Sequence, residues 1–109
     1  MTIAYKVLGQ AVPLSNTQTN IYVTPTGNST VVSTITICNQ STSGTTFCVA
    51  VQKSGAALSS QHYVNYNTPL PANDTITLTL GITMSAADIL SANSASGLVS
   101  FSAFGSEIY

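Results

Sequence analysis

The stretch Thr75-Ile76-Thr77-Leu78-Thr79-Leu80 alternates hydroxyl and aliphatic residues without a break. Residues two apart share a face only in extended backbone, so this period places Ile76, Leu78 and Leu80 on one side of a strand and the threonines on the other. The same period recurs elsewhere. Ile3, Tyr5 and Val7 share one face, and Ile35 and Ile37 lie opposite Thr34 and Thr36. Phe47, Val49 and Val51 lie opposite Cys48, Ala50 and Gln52. Apolar recurrence at helical spacing is nearly absent. Pro25-Thr26-Gly27-Asn28, the segment 41–45 around Ser43-Gly44, and the doubly proline-stiffened segment 68–74 break the runs as turns. Strands are expected at 3–7, 20–24, 31–40, 47–52, 62–67, 75–80 and 98–104. Residues 8–18 form a loop or arm, and 91–97 a loop. Ser85-Ala86-Ala87-Asp88 has the spacing of a capping box and predicts one helical turn. Seven or eight short strands with polar turns between them predict an all-β chain. The expected fold is a single antiparallel β-sandwich of jelly-roll type spanning 1–109, with a small barrel as the alternative.

Charge limits what such a domain can do. Only Lys6, Lys53, Asp74, Asp88 and Glu107 carry full charge, 5% of the chain against about a quarter in an ordinary soluble domain. The formal net charge is −1, so copies of the chain repel one another weakly. Two lysines without a cluster give no footprint for nucleic-acid phosphates and no polybasic membrane anchor. No apolar run is long enough for a membrane helix. The first residues lack a basic segment followed by an apolar one, so no signal peptide is expected.

The chemistry-bearing residues are few. If 41–45 closes a hairpin about Ser43, Ile37 faces Val49, Ile35 faces Val51, and Cys38 faces Cys48 within disulfide reach. The pair is then either a cross-strand disulfide or two reduced thiols acting as small apolar groups. Two cysteines and a lone histidine make no zinc site, so no metal and no cofactor is expected. His62 follows Ser59 and Ser60. Nucleophilic catalysis would also need a strained nucleophile turn and an orienting carboxylate, so His62 is expected to bond to backbone at a strand end. Asp74 and Asp88 sit where turns and caps favour Asp, and no catalytic residue is assigned. Tyr63 and Tyr66 are candidate glycan contacts if the domain is a lectin-like module. Residues 105–109 are expected as a C-terminal tail beyond the last strand, freed to turn by Gly105. Glu107, Ile108 and Tyr109 are then a candidate interface with a neighbour. The competing reading is a disordered tail or one folded back onto its own domain.

From about residue 21 onward the chain resembles small virion structural proteins of tailed bacteriophages, including phages of cyanobacteria. The resemblance is carried by VVSTITICN at 31–39, FCVAV at 47–51, GAA at 55–57, QHYV at 61–64, PLPANDT at 69–75, LTLGIT at 78–83 and SFSAFGSEI at 100–108. It implies a non-enzymatic protein made in the host cytoplasm and carried in many copies on the virion, as head decoration or as a neck, tail or fibre component. The implied partners are further copies of the chain, as a trimer or in a six-fold arrangement, and another virion protein. The second reading is a carbohydrate-binding module for host recognition.

Overall fold

Strands form where the alternation predicts them, and most run longer than the pattern alone suggests. The computed structural model describes residues 1–109. Its strands are β1 (Ile3–Ala11), β2 (Thr19–Val23), β3 (Ser29–Asn39), β4 (Thr45–Gln52), β5 (Tyr63–Leu70), β6 (Thr75–Met84), β7 (Ile89–Ser94) and β8 (Val99–Ile108). One sheet, here sheet A, has the order β1-β8-β3-β6, and sheet B has the order β2-β7-β4-β5. All paired strands are antiparallel. The chain changes sheet at every connection except β4 to β5, which is the double Greek-key winding of a jelly roll.

Inward residues of the two sheets interdigitate into one core. Val32, Ile35, Ile37, Phe47, Val49, Leu90, Val99 and Phe101 are fully buried. The Phe47 and Phe101 rings meet edge to face across the sandwich, with centroids 6.3 Å apart. Ile76, Leu78 and Val51 pack against this core as the alternation requires, whereas Leu80 is not part of it. β6 carries one extra residue between Thr79 and Ile82 against the two-residue step from Val32 to Thr34, and Leu80, half-buried, falls in this bulge.

The expected β3–β4 hairpin does not form. β3 lies in sheet A between β8 and β6, while β4 lies in sheet B between β7 and β5. The linking residues arch across the end of the sandwich, held by the buried Asn39 side chain. Its amide donates to the carbonyls of Ser43 (2.9 Å) and Pro71 (3.1 Å), and its oxygen accepts the Ser41 N–H. Cys38 and Cys48 are therefore free thiols on the outward faces of different sheets, and no disulfide joins them.

Three other boundaries differ from expectation. β1 continues to Ala11, so the loop before β2 is shorter than 8–18. β7 occupies Ile89–Ser94, much of the expected loop, because Leu90 and Ala92 supply core residues between β2 and β4. Ser85 to Asp88 makes a tight turn with Ala87 at φ 71°, not a helical turn. Asp88 nonetheless accepts the Ser85 N–H at 3.0 Å, the backbone half of the capping-box geometry.

The largest correction is at the C-terminus. Residues 105–108 are the end of β8, paired with β1 on one side and β3 on the other. Tyr109 exchanges backbone hydrogen bonds with Thr2. Gly105 does not release the chain; it lets strands approach. A Cβ there would lie 2.0 Å from the Val31 carbonyl oxygen.

Candidate functional site

The two outward sheet faces are treated very differently by the chain. On β4, Phe47 and Val49 enter the core, so Cys48, Ala50 and Gln52 point away from it. They are still buried: Cys48 packs against Asn67 of β5, and Gln52 is held by the connection 53–62. Gln52 donates to the Ala56 carbonyl at 2.9 Å and accepts from the Ser91 hydroxyl at 2.6 Å. Gln18 donates to Ser91 at 2.8 Å and accepts from Asn93. These amides and hydroxyls close much of the outer face of sheet B with the chain's own polar groups.

Nothing comparable covers sheet A. Its register puts Ile3 beside Ile108, Tyr5 beside Ser106 and Val7 beside Phe104, all on the outward side. Val31 lies on the same side of β3, next to Ser106. Tyr5 is 83% exposed, Val7 51% and Ile3 46%. A shallow depression lined by Tyr5, Lys6, Val7, Val31, Ser33 and Phe104 runs across these strands. Toward the other end the face turns to hydroxyls, with Thr34 opposite Thr79, Thr36 opposite Thr77, and Thr36 opposite Ser102 on its other side. The face is half apolar and half hydroxyl, and no acidic side chain points out of it.

The charges explain why β1 shows its apolar side to water. Before the register shift at Val7–Gly9, β1 turns Ala4 and Lys6 inward; after it, Gly9 and Ala11. Lys6, whose side chain stays 48% exposed, reaches diagonally across the pair to Glu107, which lies opposite Ala4 and is 5% exposed. The Lys6 Nζ lies 2.5 Å from Glu107 Oε1, and the Tyr22 hydroxyl donates to Oε2 at 2.5 Å. Tyr22 also pairs with the Thr30 hydroxyl at 2.8 Å, so this cluster ties sheet B to sheet A at one end of the core. The hydrogen bond from Lys6, followed by that from Tyr22, holds the Glu107 carboxyl below its ordinary range despite burial. Burial and then the bond to Glu107 push the Tyr22 hydroxyl up to about 12.

The second lysine is also engaged. Lys53 Nζ lies 3.8 Å from Asp88 Oδ2. Burial raises the Asp88 carboxyl, but the Ser54 and Ser85 N–H groups, together with Lys53, more than offset this and leave it lowered. Both cations are therefore paired within the chain, and the outer faces are left almost without charge.

Of the residues singled out from sequence, Glu107 belongs to the core and not to an interface tail. Ile108 lies on the outer face of sheet A, and Tyr109, the last residue, is 55% exposed. His62 is buried, and its Nδ1 accepts the Ser59 N–H at 3.0 Å, the backbone role expected of it. Cys48 Sγ accepts the Asn67 N–H at 3.3 Å, while Cys38 lies on the hydroxyl end of the sheet A face. Tyr63 and Tyr66 stand together on the sheet B side, with ring centroids 4.9 Å apart. Lys6, Tyr22, Val31 and Phe104 were missed. The single charged residue in β1, on the face opposite Ile3, Tyr5 and Val7, was the available signal. No protein-family model and no curated protein matches the chain.

Proposed function

We propose that the chain is a non-catalytic structural component of a tailed-phage virion, present in many copies. The copies join through the outer face of sheet A into a trimer or a closed ring, and that assembly seats on another virion protein. One observation carries this reading: the chain spends a ten-residue connection covering sheet B, yet leaves the apolar half of sheet A bare. The whole outer face, four strands about 4.8 Å apart and about ten residues long, presents roughly 600 Å², somewhat below the ~800 Å² per partner of a standard stable interface, and its apolar half accounts for about 300 Å² of it. Large exposed apolar patches on a small domain mark interaction sites. The near absence of charge supports the same reading, because identical faces can meet without burying like charges. Closed symmetry then limits growth to a defined number of copies. The resemblance to phage virion proteins supplies the context, and jelly rolls are widely used in viral shells.

The test is quantitative mass spectrometry of purified particles from a phage encoding the chain. The reading expects the chain at a stoichiometry that is a multiple of three or six per symmetric site. Its absence from washed particles would overturn the assignment.

A further inference from the structure

The connection 53–62 covers sheet B incompletely. Where it ends in the short turn Ser60–His62, a cleft of about 710 Å³ opens between Leu58, Ser59 and Ser60 on one side and Tyr63 and Tyr66 on the other. This lies within the range of small-ligand sites, about 300–1,000 Å³. The tyrosine rings meet at 75°, so they form a corner and not a stack. Tyr66 is 67% exposed and takes no part in the core, whereas Tyr63 is half-buried. Burial, and then the neighbouring Cys48, raises the Tyr63 hydroxyl above its ordinary value.

We propose that this cleft binds a neutral saccharide. A pyranose ring has an apolar C–H face that packs on an exposed aromatic ring and a rim of hydroxyls that needs short, uncharged partners. Tyr66 offers the ring, held in place edge to face by Tyr63, and Ser59 and Ser60 offer hydroxyls across the cleft. The opposite wall is fastened before any ligand arrives. Gln52 holds the Ala56 carbonyl, Asp88 accepts the Ser54 N–H at 2.7 Å, and His62 accepts the Ser59 N–H. Binding therefore costs little ordering. No charged residue lines the cleft, and both lysines are engaged elsewhere. Uronates, sialic acids and nucleotides would leave a negative charge without a partner here. The site is on the opposite sheet from the proposed docking face, so both can be occupied at once. Many copies on one assembly would multiply a weak single-site affinity.

The experiment is saturation-transfer NMR on the intact chain with methyl glycosides of glucose, galactose, mannose and N-acetylglucosamine and their short oligomers. Glucuronic acid and N-acetylneuraminic acid serve as charged comparators. The proposal expects transfer to at least one neutral sugar, weakened tenfold or more by Tyr66→Ala, retained by Tyr66→Phe and unaltered by Tyr5→Ala. Circular dichroism confirms that each variant is folded. Transfer to no neutral sugar, transfer confined to the acidic sugars, or binding that survives Tyr66→Ala would each overturn it.

Discussion

Replacing Glu107 by Ala tests whether the last residues of the chain belong to the fold. The carboxylate is almost fully buried and makes two contacts, with the Tyr22 hydroxyl and with Lys6. A hydrogen bond to a charged group contributes about 1.5–3 kcal/mol. The Lys6 side chain is 48% exposed and can turn to water when its partner is removed, so that pair adds at most about 1 kcal/mol. Tyr22 keeps Thr30 as a partner, which limits the penalty for its orphaned hydroxyl. The expected loss is therefore about 3 kcal/mol for Glu107→Ala. Glu107→Gln, which retains an acceptor for Tyr22, should lose about 1–2 kcal/mol. At about 4 °C or more per kcal/mol for a domain near this size, Glu107→Ala should lower the thermal midpoint by roughly 12 °C. The pH profile follows from the same contacts. Glu107 titrates below its ordinary value of 4.5 when folded, so its contribution is complete above about pH 4.5 and is lost as pH falls through the lowered value. Glu107→Gln should flatten this acid limb without removing it, because Asp88 is lowered as well. Tyr22 is raised, so its contribution is complete below pH 10.0 and is lost as pH climbs toward about 12. The assay is urea and thermal unfolding followed by circular dichroism. If Glu107→Ala stays within about 0.5 kcal/mol of the native chain, as for an ordinary surface change, the side chain is in water and the end of β8 is misplaced.

Gly105→Ala should abolish stable folding or cost several kcal/mol, since its Cβ would meet the Val31 carbonyl oxygen at 2.0 Å; a near-native melting curve would contradict that close approach. Ile37→Ala should cost about 2–5 kcal/mol through lost burial and the cavity left behind. Thr36→Ala on the outer face should cost well under 1 kcal/mol, and equal losses in the two variants would reverse the face assignment. Adding a reductant should leave the thermal midpoint unchanged, because Cys38 and Cys48 are on different sheets. A drop worth about 2–4 kcal/mol would reveal a disulfide.

Alternation reports which face a residue takes and says little about which strand lies beside it. Ile35, Ile37, Val49 and Val51 turn inward whether β3 and β4 form a hairpin or face each other across the core. The core set was therefore legible while the Cys38–Cys48 pairing was not. What chooses the arch over the hairpin is Asn39, whose amide is satisfied by carbonyls of both the Ser43 loop and the Pro71 turn. That partnership spans more than thirty positions and leaves no local periodic trace. β7 was hidden for a related reason. Its Ser91, Asn93 and Ser94 resemble a loop but are satisfied by Gln52, Gln18 and the Thr46 carbonyl. The outer face of sheet A was half legible. The alternation of Ile3, Tyr5 and Val7 was plain, but the sign of their face depended on Lys6 turning inward to an acid about a hundred residues away. Tyr63 and Tyr66 could be named from sequence, whereas the wall at 58–60 that makes a cleft of them depends on how the connection folds back.

The account rests on the outer face of sheet A being a contact between copies. Light scattering coupled to size-exclusion chromatography tests this with the intact chain and with Tyr5→Asp, which puts a charge on the most exposed side chain of the apolar half's β1 row without touching the core. The native chain should elute with the mass of a trimer or a larger closed ring, and Tyr5→Asp should elute as a folded monomer with an unchanged thermal midpoint. A native chain that remains monomeric at every concentration reached, or a Tyr5→Asp assembly of undiminished mass, would contradict the claim.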